Sequence, residues 1–296
     1  MTRFGMKDCT GIDPQGFTVL ANLCPSLTSL TLNLCGQLSD DALVGFATKL
    51  PSLTRIELLG PFLVRKPAWL TFFAEIGPRL QGFLVRQSPR MDEECVETLV
   101  RCCGDGLTEL RLSEMGKMDE SWLGHLASLR GLKYLDLSYP LVPLPSESVA
   151  LAELIASVGP GLTSLNLAGQ SNLTSSDLLT LLPTNLPNLT RLDLTLLDLL
   201  TDDETVAVFT AWADAGSAGL ESVKMGKAHL LLGPTLNALF ALAGETLKEL
   251  EICGWKDIDE GALKSIGKNS PALTRLDIGW CSECPSLGRR HFSRCD

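Results

Sequence analysis

Apolar residues recur along this chain in a fixed local pattern. A segment of the form L-x-x-L-x-L, with other apolar residues allowed at its later positions, starts at Leu27, Leu53, Leu80, Leu107, Leu132, Leu162, Leu189, Leu220, Leu247 and Leu273. The third residue after each start is always apolar, from Leu30, Ile56 and Phe83 to Leu250 and Leu276. So is the fifth, from Leu32, Leu58 and Val85 to Ile252 and Ile278. Two apolar positions two residues apart put both side chains on one face of a short strand, and the second, fourth and sixth positions on the other. Farther on come an apolar residue, a capping residue and acids, as in Leu38-Ser-Asp-Asp, Met91-Asp-Glu-Glu, Met118-Asp-Glu-Ser, Leu200-Thr-Asp-Asp and Ile258-Asp-Glu-Gly. Ser39, Asp92, Asp119, Thr201 and Asp259 therefore read as helix N-caps, with acids suited to the positive end of the helix dipole. Pro25, Pro51, Pro78, Pro160, Pro187 and Pro271 follow as helix stops.

Each unit is thus one strand and one helix, too small to bury its own apolar face, and stacking supplies the missing cover. The expected fold is an α/β leucine-rich-repeat solenoid, a horseshoe with a parallel sheet on the concave face and helices on the convex face. It would hold about ten to eleven repeats of roughly 26 residues. Residues 1–281 read as one repeat domain and 282–296 as an irregular tail without a core pattern. Cys9, Cys35 and Cys281 stand at the turn after the strand, as in the cysteine-containing repeats of F-box and related ubiquitin-ligase adaptors, which this repeat subtype resembles.

Composition narrows the function. Leucine fills 59 of 296 positions, so the core is aliphatic and repetitive. The net charge of −10 argues against bulk binding to nucleic acid by counterion release. No apolar stretch approaches the roughly 20 residues of a membrane span, and the first residues lack a signal-peptide core. The ten cysteines then read as the reduced thiols of an intracellular protein.

The solvent-facing strand positions carry the cations Arg55, Arg86, Arg111, Arg191, Lys224 and Arg275. Interleaved with them are the anions Glu57, Glu109, Asp136, Asp193, Glu249, Glu251 and Asp277. Such a face suits a protein partner of mixed charge. Arg55, Arg86 and Arg111 fall on successive repeats and form either a small basic patch or, the preferred reading, ion pairs with Glu57 and Glu109. Leu59-Gly-Pro-Phe-Leu63 with Trp69 and Phe72-Phe73 bunches aromatics in one repeat. Phe72 and Phe73 are expected in the core, and an exposed Phe62 or Trp69 would be an interface anchor. Arg55, Phe62, Trp69, Arg86 and Arg111 are accordingly the candidate partner-binding residues. Cys281, Cys284, His291 and Cys295 have zinc-ligand types, but Cys281 already has a turn role, and no metal or other cofactor is expected. With three histidines in separate places, no nucleophile elbow and no phosphate loop, no enzymatic activity is expected.

Leu27-Thr-Ser-Leu-Thr-Leu-Asn-Leu-Cys-Gly-Gln-Leu38, Phe46-Ala47 and Leu50-Pro-Ser-Leu53, followed by Gly60-Pro-Phe-Leu63 with Trp69 and Phe72-Phe73, resemble a more specific family. So does Leu276-Asp-Ile-Gly-Trp-Cys281. The family is that of the fungal DNA-repair leucine-rich-repeat proteins of the radiation-sensitivity-seven type. The resemblance implies a nuclear recognition subunit in global-genome nucleotide excision repair, partnered by a SWI/SNF-type ATPase. It also implies a place in a cullin–elongin C ubiquitin ligase. The alternative is an F-box-type substrate adaptor of an SCF-type ligase in another pathway such as cell-cycle control, with a cytoplasmic location then open. The family pattern has a long polar region before its repeats and further helix after Gly-Trp-Cys. This sequence starts within the repeats and ends in a polar tail with Arg289-Arg290, so both ends read as a truncated or mis-spliced product.

Overall fold

In the computed structural model, residues 2–281 are described except 9, 10, 117, 217, 218 and 257. The chain forms two compact units, Met1–Val142 and Pro143–Asp296. The first alternates β1 (Arg3–Lys7), α1 (Pro14–Leu23), β2 (Ser29–Asn33), α2 (Asp40–Lys49), β3 (Arg55–Leu59), α3 (Lys66–Ile76), β4 (Gly82–Arg86), α4 (Glu93–Cys103), β5 (Glu109–Ser113), α5 (Glu120–Leu126) and β6 (Tyr134–Asp136). The second continues with α6 (Val149–Val158), β7 (Ser164–Asn166), α7 (Ser175–Leu181), β8 (Arg191–Asp193), α8 (Asp202–Asp214), β9 (Ser222–Lys224), α9 (Gly233–Ala243), β10 (Glu249–Glu251), α10 (Glu260–Asn269) and β11 (Arg275–Asp277). Within each unit consecutive strands pair in parallel, in chain order, with helices on one face of the sheet. This is the leucine-rich-repeat fold that the periodicity predicts.

The pairing register aligns equivalent repeat positions. Leu30 faces Ile56, Ile56 faces Phe83, and Phe83 faces Leu110. Leu165, Leu192, Val223 and Leu250 form the same row in the second unit. These residues and their partners two positions on are buried, Leu110 and Leu112 completely so. Leu276 in β11 and Phe4 and Met6 in β1 are only half-buried, because each lies on a strand with one described neighbour.

Four of the five expected caps close as predicted: Ser39, Asp92, Asp119 and Asp259 accept from Ala42, Cys95, Ser121 and Ala262 N–H groups. Thr201 occupies the cap position without capping, since its hydroxyl donates to Glu204 Oε2 at 2.8 Å. Asp13, Ser148 and Thr174 are caps that the pattern alone did not single out. Thr174 forms a reciprocal capping box with Asp177, each side chain serving the other's backbone N–H.

One feature of every repeat is invisible in the apolar pattern. The seventh residue after each start has positive φ: Asp8, Leu34, Gly60, Gln87, Glu114 and Tyr139 in the first unit, and Gly169, Leu196, Lys227, Gly254 and Trp280 in the second. Left-handed backbone costs a non-glycine residue about 1 kcal/mol or more. A ladder of hydrogen bonds offsets it. Leu34 N–H donates to Leu59 O at 2.9 Å, Gly60 to Arg86 O at 3.0 Å and Gln87 to Ser113 O at 3.2 Å, each across to the following repeat. The second unit repeats this from Gly169 to Thr195 O, 2.8 Å, and from Leu196 to Gly226 O, 2.9 Å. The turn thus carries the hydrogen bonding between repeats past the strand, by one residue after β2, β3 and β4 and by three after β7 and β8.

Cys35 lies buried just beyond this turn, and Cys281 Sγ donates to Ile252 O at 3.5 Å. Cys9 and the tail 282–296, including Cys284, His291, Cys295, Arg289 and Arg290, lie outside the described residues. No helix among the described residues is long and apolar enough to cross a membrane.

Candidate partner-binding faces

The sheet face away from the helices is where the strand charges project. In the first unit they bond to one another. Arg55 Nε donates to Glu109 Oε2 at 2.9 Å, and its Nη1 lies 3.2 Å from Glu57 Oε2. Arg111 Nη1 reaches Glu57 Oε1 at 3.3 Å, while its Nε donates to Asp136 Oδ2 at 2.8 Å. Its Nη2 donates to Tyr134 Oη at 2.7 Å, and the guanidinium stands 5.6 Å from the Tyr134 ring centre. Asp136, buried, also accepts from the Ser138 N–H and hydroxyl at 3.0 and 2.6 Å.

The strand between these partners makes room for them. Gly82 lies between Arg55 and Glu109 in register, and a Cβ there would sit 2.8 Å from Arg55 Cγ. Leu84 lies between Glu57 and Arg111 and is buried beneath them. Burial works against charge on Arg111, but Tyr134 and Asp136 outweigh it and raise its pKa, holding the guanidinium protonated. Burial, then the neighbouring Asp136 charge, pushes the Tyr134 phenol up to about 12. Arg86 pairs separately with Glu114, its Nε at 3.0 Å, and Gln87 bonds the other Glu114 oxygen. The basic-patch reading of Arg55, Arg86 and Arg111 is therefore replaced by the ion-paired one.

The aromatic cluster divides. Trp69 is 0 % exposed, stacked on Phe73 at 5.8 Å between ring centres and set edge-on to Phe72 and Phe83. It is core, not an interface anchor, because α3 turns that side chain toward the sheet. Phe62 is 44 % exposed. Its ring lies over Gly60, where a Cβ would fall 2.8 Å from Cε2, and beside Leu34, whose Cδ2 is 3.5 Å from the same point. Leu34 and Phe62 thus stand together at the strand ends, with the exposed Leu63 next in the chain. The apolar pattern does not single out Leu34, because nothing in an apolar residue announces a left-handed turn that tips its side chain outward.

Two recesses of the second unit have linings that bear on binding. One, of about 370 Å³, lies beside α6 and α7 and is lined by Val149, Leu151, Leu173 and Leu181 with Glu147 and Glu153. The other, on the sheet face, is lined by Arg191, Ser222, Glu249 and Arg275, with Glu221, Lys248 and Thr274. Burial works against ionisation of Glu249, but bonds from Arg275 and Ser222 and the nearby Lys224 outweigh it, holding its carboxyl below the usual range. Burial raises Asp193, against the bond it accepts from Thr195. Among the described residues, no group of three or more His, Cys, Asp or Glu is placed to hold a metal ion. His125 Nε2 lies 3.2 Å from Glu93 and His229 Nδ1 lies 3.0 Å from Gly254 O.

No family model matches the chain. Over 280 residues, 94 % of its length, it is 30 % identical to DNA repair protein rhp7 of Schizosaccharomyces pombe. It is 25 % identical to DNA repair protein RAD7 of Saccharomyces cerevisiae, again over 94 % of its length. Rad7 in the solved structure of the yeast Rad7 and Elc1 complex superposes with a TM-score of 0.75 at 25 % identity, covering 94 % of this chain and 76 % of that one. The chain is a homologue of these fungal leucine-rich-repeat DNA-repair proteins. It covers 49 % and 54 % of the two curated relatives, about half of each. The leucine-rich-repeat protein LegL7 of Legionella pneumophila, 17 % identical with a TM-score of 0.58 over 93 % of this chain and 89 % of that one, shares the fold alone.

Proposed function

We propose that this chain is the repeat region of a non-enzymatic recognition subunit working in nuclear DNA repair through protein partners. The observation that carries the reading is the likeness to rhp7 and to Rad7 of the Rad7–Elc1 complex along 94 % of the chain. Such a subunit acts in global-genome nucleotide excision repair beside a SWI/SNF-type ATPase. It also serves as the substrate-recognition part of a cullin–elongin C ubiquitin ligase. The side chains agree with a binding role. Both described histidines are engaged in structural contacts, and the charged face of the first unit is internally paired, which favours contact with protein over nucleic acid. Phe62 is the anchor of the first unit, while Arg55, Arg86 and Arg111 present an ordered polar surface.

The test is affinity purification of the full-length protein from its own cells. Recovery of a SWI/SNF-type ATPase or an elongin C-type adaptor is expected. Recovery of SCF-type ligase components would favour the F-box reading instead, and recovery of none of these would end the proposal. Submicromolar binding of duplex DNA by the chain alone at physiological salt would also overturn it, since the scaffold would then not need a partner.

A further inference from the structure

The two units contain the same local arrangement with different outcomes. In the first, an arginine, a small residue and a glutamate stand side by side on β3, β4 and β5, and Arg55 crosses Gly82 to bond Glu109 at 2.9 Å. In the second, Arg191, Ser222 and Glu249 stand side by side on β8, β9 and β10. Here the bridge does not form. Ser222 Oγ donates to Glu249 Oε2 at 2.9 Å, and Arg275 Nη1 takes Oε1 at 2.9 Å. Arg191 is exposed and, among the described residues, makes no ion pair, and its charge helps to lower the pKa of the neighbouring Glu221. It borders the recess of about 360 Å³, where Lys248 and Arg275 are already paired with Glu221 and Glu249, so Arg191 is the cation of this lining without an ion pair.

We infer that this recess binds an acidic peptide segment of a partner protein, with Arg191 taking the peptide carboxylate as Arg55 takes Glu109. A guanidinium offers paired N–H donors that match a carboxylate, and the geometry that satisfies one is already realised in the first unit. Phosphate of a nucleic acid would meet the same donors, but the partner already taken by the equivalent arginine of the first unit is a carboxylate, and the oligonucleotide arm of the test distinguishes the two. The inference rests on the protein-binding role proposed above.

The probe is a fluorescein-labelled hexaglutamate peptide, titrated with the full chain at about 50 mM salt, where surface charges are weakly screened. Saturable binding is expected. Arg191→Ala should weaken it by at least about fivefold, roughly 1 kcal/mol, and Arg191→Lys should fall between, since an ammonium lacks the paired donors. Arg101→Ala, on α4, should leave it unchanged, and the melting temperature of all three variants should match the wild type. No saturable binding, or equal binding by Arg191→Ala, would overturn the inference. So would a short thymidine oligonucleotide that displaces the peptide more strongly than unlabelled hexaglutamate does. A protein that recovers its repair partners yet ignores the peptide sinks this inference alone. One that binds the peptide and recovers no such partner sinks only the functional reading.

Discussion

Arg55 reaches over Gly82 and donates its Nε to Glu109 Oε2 at 2.9 Å, two strands away. The bridge exists because the intervening position has no side chain. Half-exposed ion pairs are worth only about 0.2–1 kcal/mol, and burial is the first influence on Arg55, opposing its charge before Glu109 and Glu57 restore it. A double-mutant cycle with Arg55→Ala and Glu109→Ala, read by urea unfolding, should give a coupling in that range that shrinks in about 1 M salt. Repeated in a Gly82→Leu background, the coupling should vanish. Undiminished coupling there would mean the two residues do not meet above Gly82.

Trp69 and Phe62 should respond in opposite ways to truncation. Trp69→Ala empties a core of stacked rings and should cost about 3–5 kcal/mol in chemical denaturation, reducing yield of folded protein. Phe62→Ala removes a ring that is nearly half exposed and should cost under about 1 kcal/mol. If Phe62 is the anchor proposed, that variant should lose repair partners in a pull-down while melting like the wild type. Full recovery of partners would remove Phe62 from the interface.

Stability should fall at alkaline pH. Burial pushes the Cys95 thiol up to about 11, the Cys103 thiol up to about 12 and the Tyr134 phenol up to about 12. Each group holds its proton more tightly folded than unfolded, so its contribution is whole below the unfolded pKa and disappears as pH rises through the folded one. For the thiols the loss begins near pH 8.5, and for the phenol near pH 10. Urea midpoints measured across this window should decline, and Cys103→Ala should flatten the lower part of the slope. An unchanged slope in that variant would show that the thiol titrates alike in both states.

How far the sequence reached follows from which forces are local. Strand burial at Leu30 and Leu32 and their equivalents, and the helix starts at Ser39, Asp92, Asp119 and Asp259, depend on period and on side chains a few residues apart, so they are legible in one dimension. Thr201 shows the limit even there, since a hydroxyl that can cap helix α8 bonds Glu204 instead.

By itself the sequence determined the repeat, its register and the residue types on each face, because an apolar pair two residues apart can be buried by only one face of a strand. Tertiary structure alone decided which charges are spent and which side chains are offered. Arg55 and Arg191 occupy the same repeat position, yet one is answered by Glu109 and the other is not, because a glycine on one neighbouring strand and a serine on the other direct the nearest carboxylate differently. Trp69 and Phe62 lie seven residues apart in one aromatic run, and only the fold of α3 against the sheet, with Gly60 in left-handed backbone before Phe62, buries the first and exposes the second. Such outcomes depend on residues about 27 positions away that become neighbours only once the repeats are stacked.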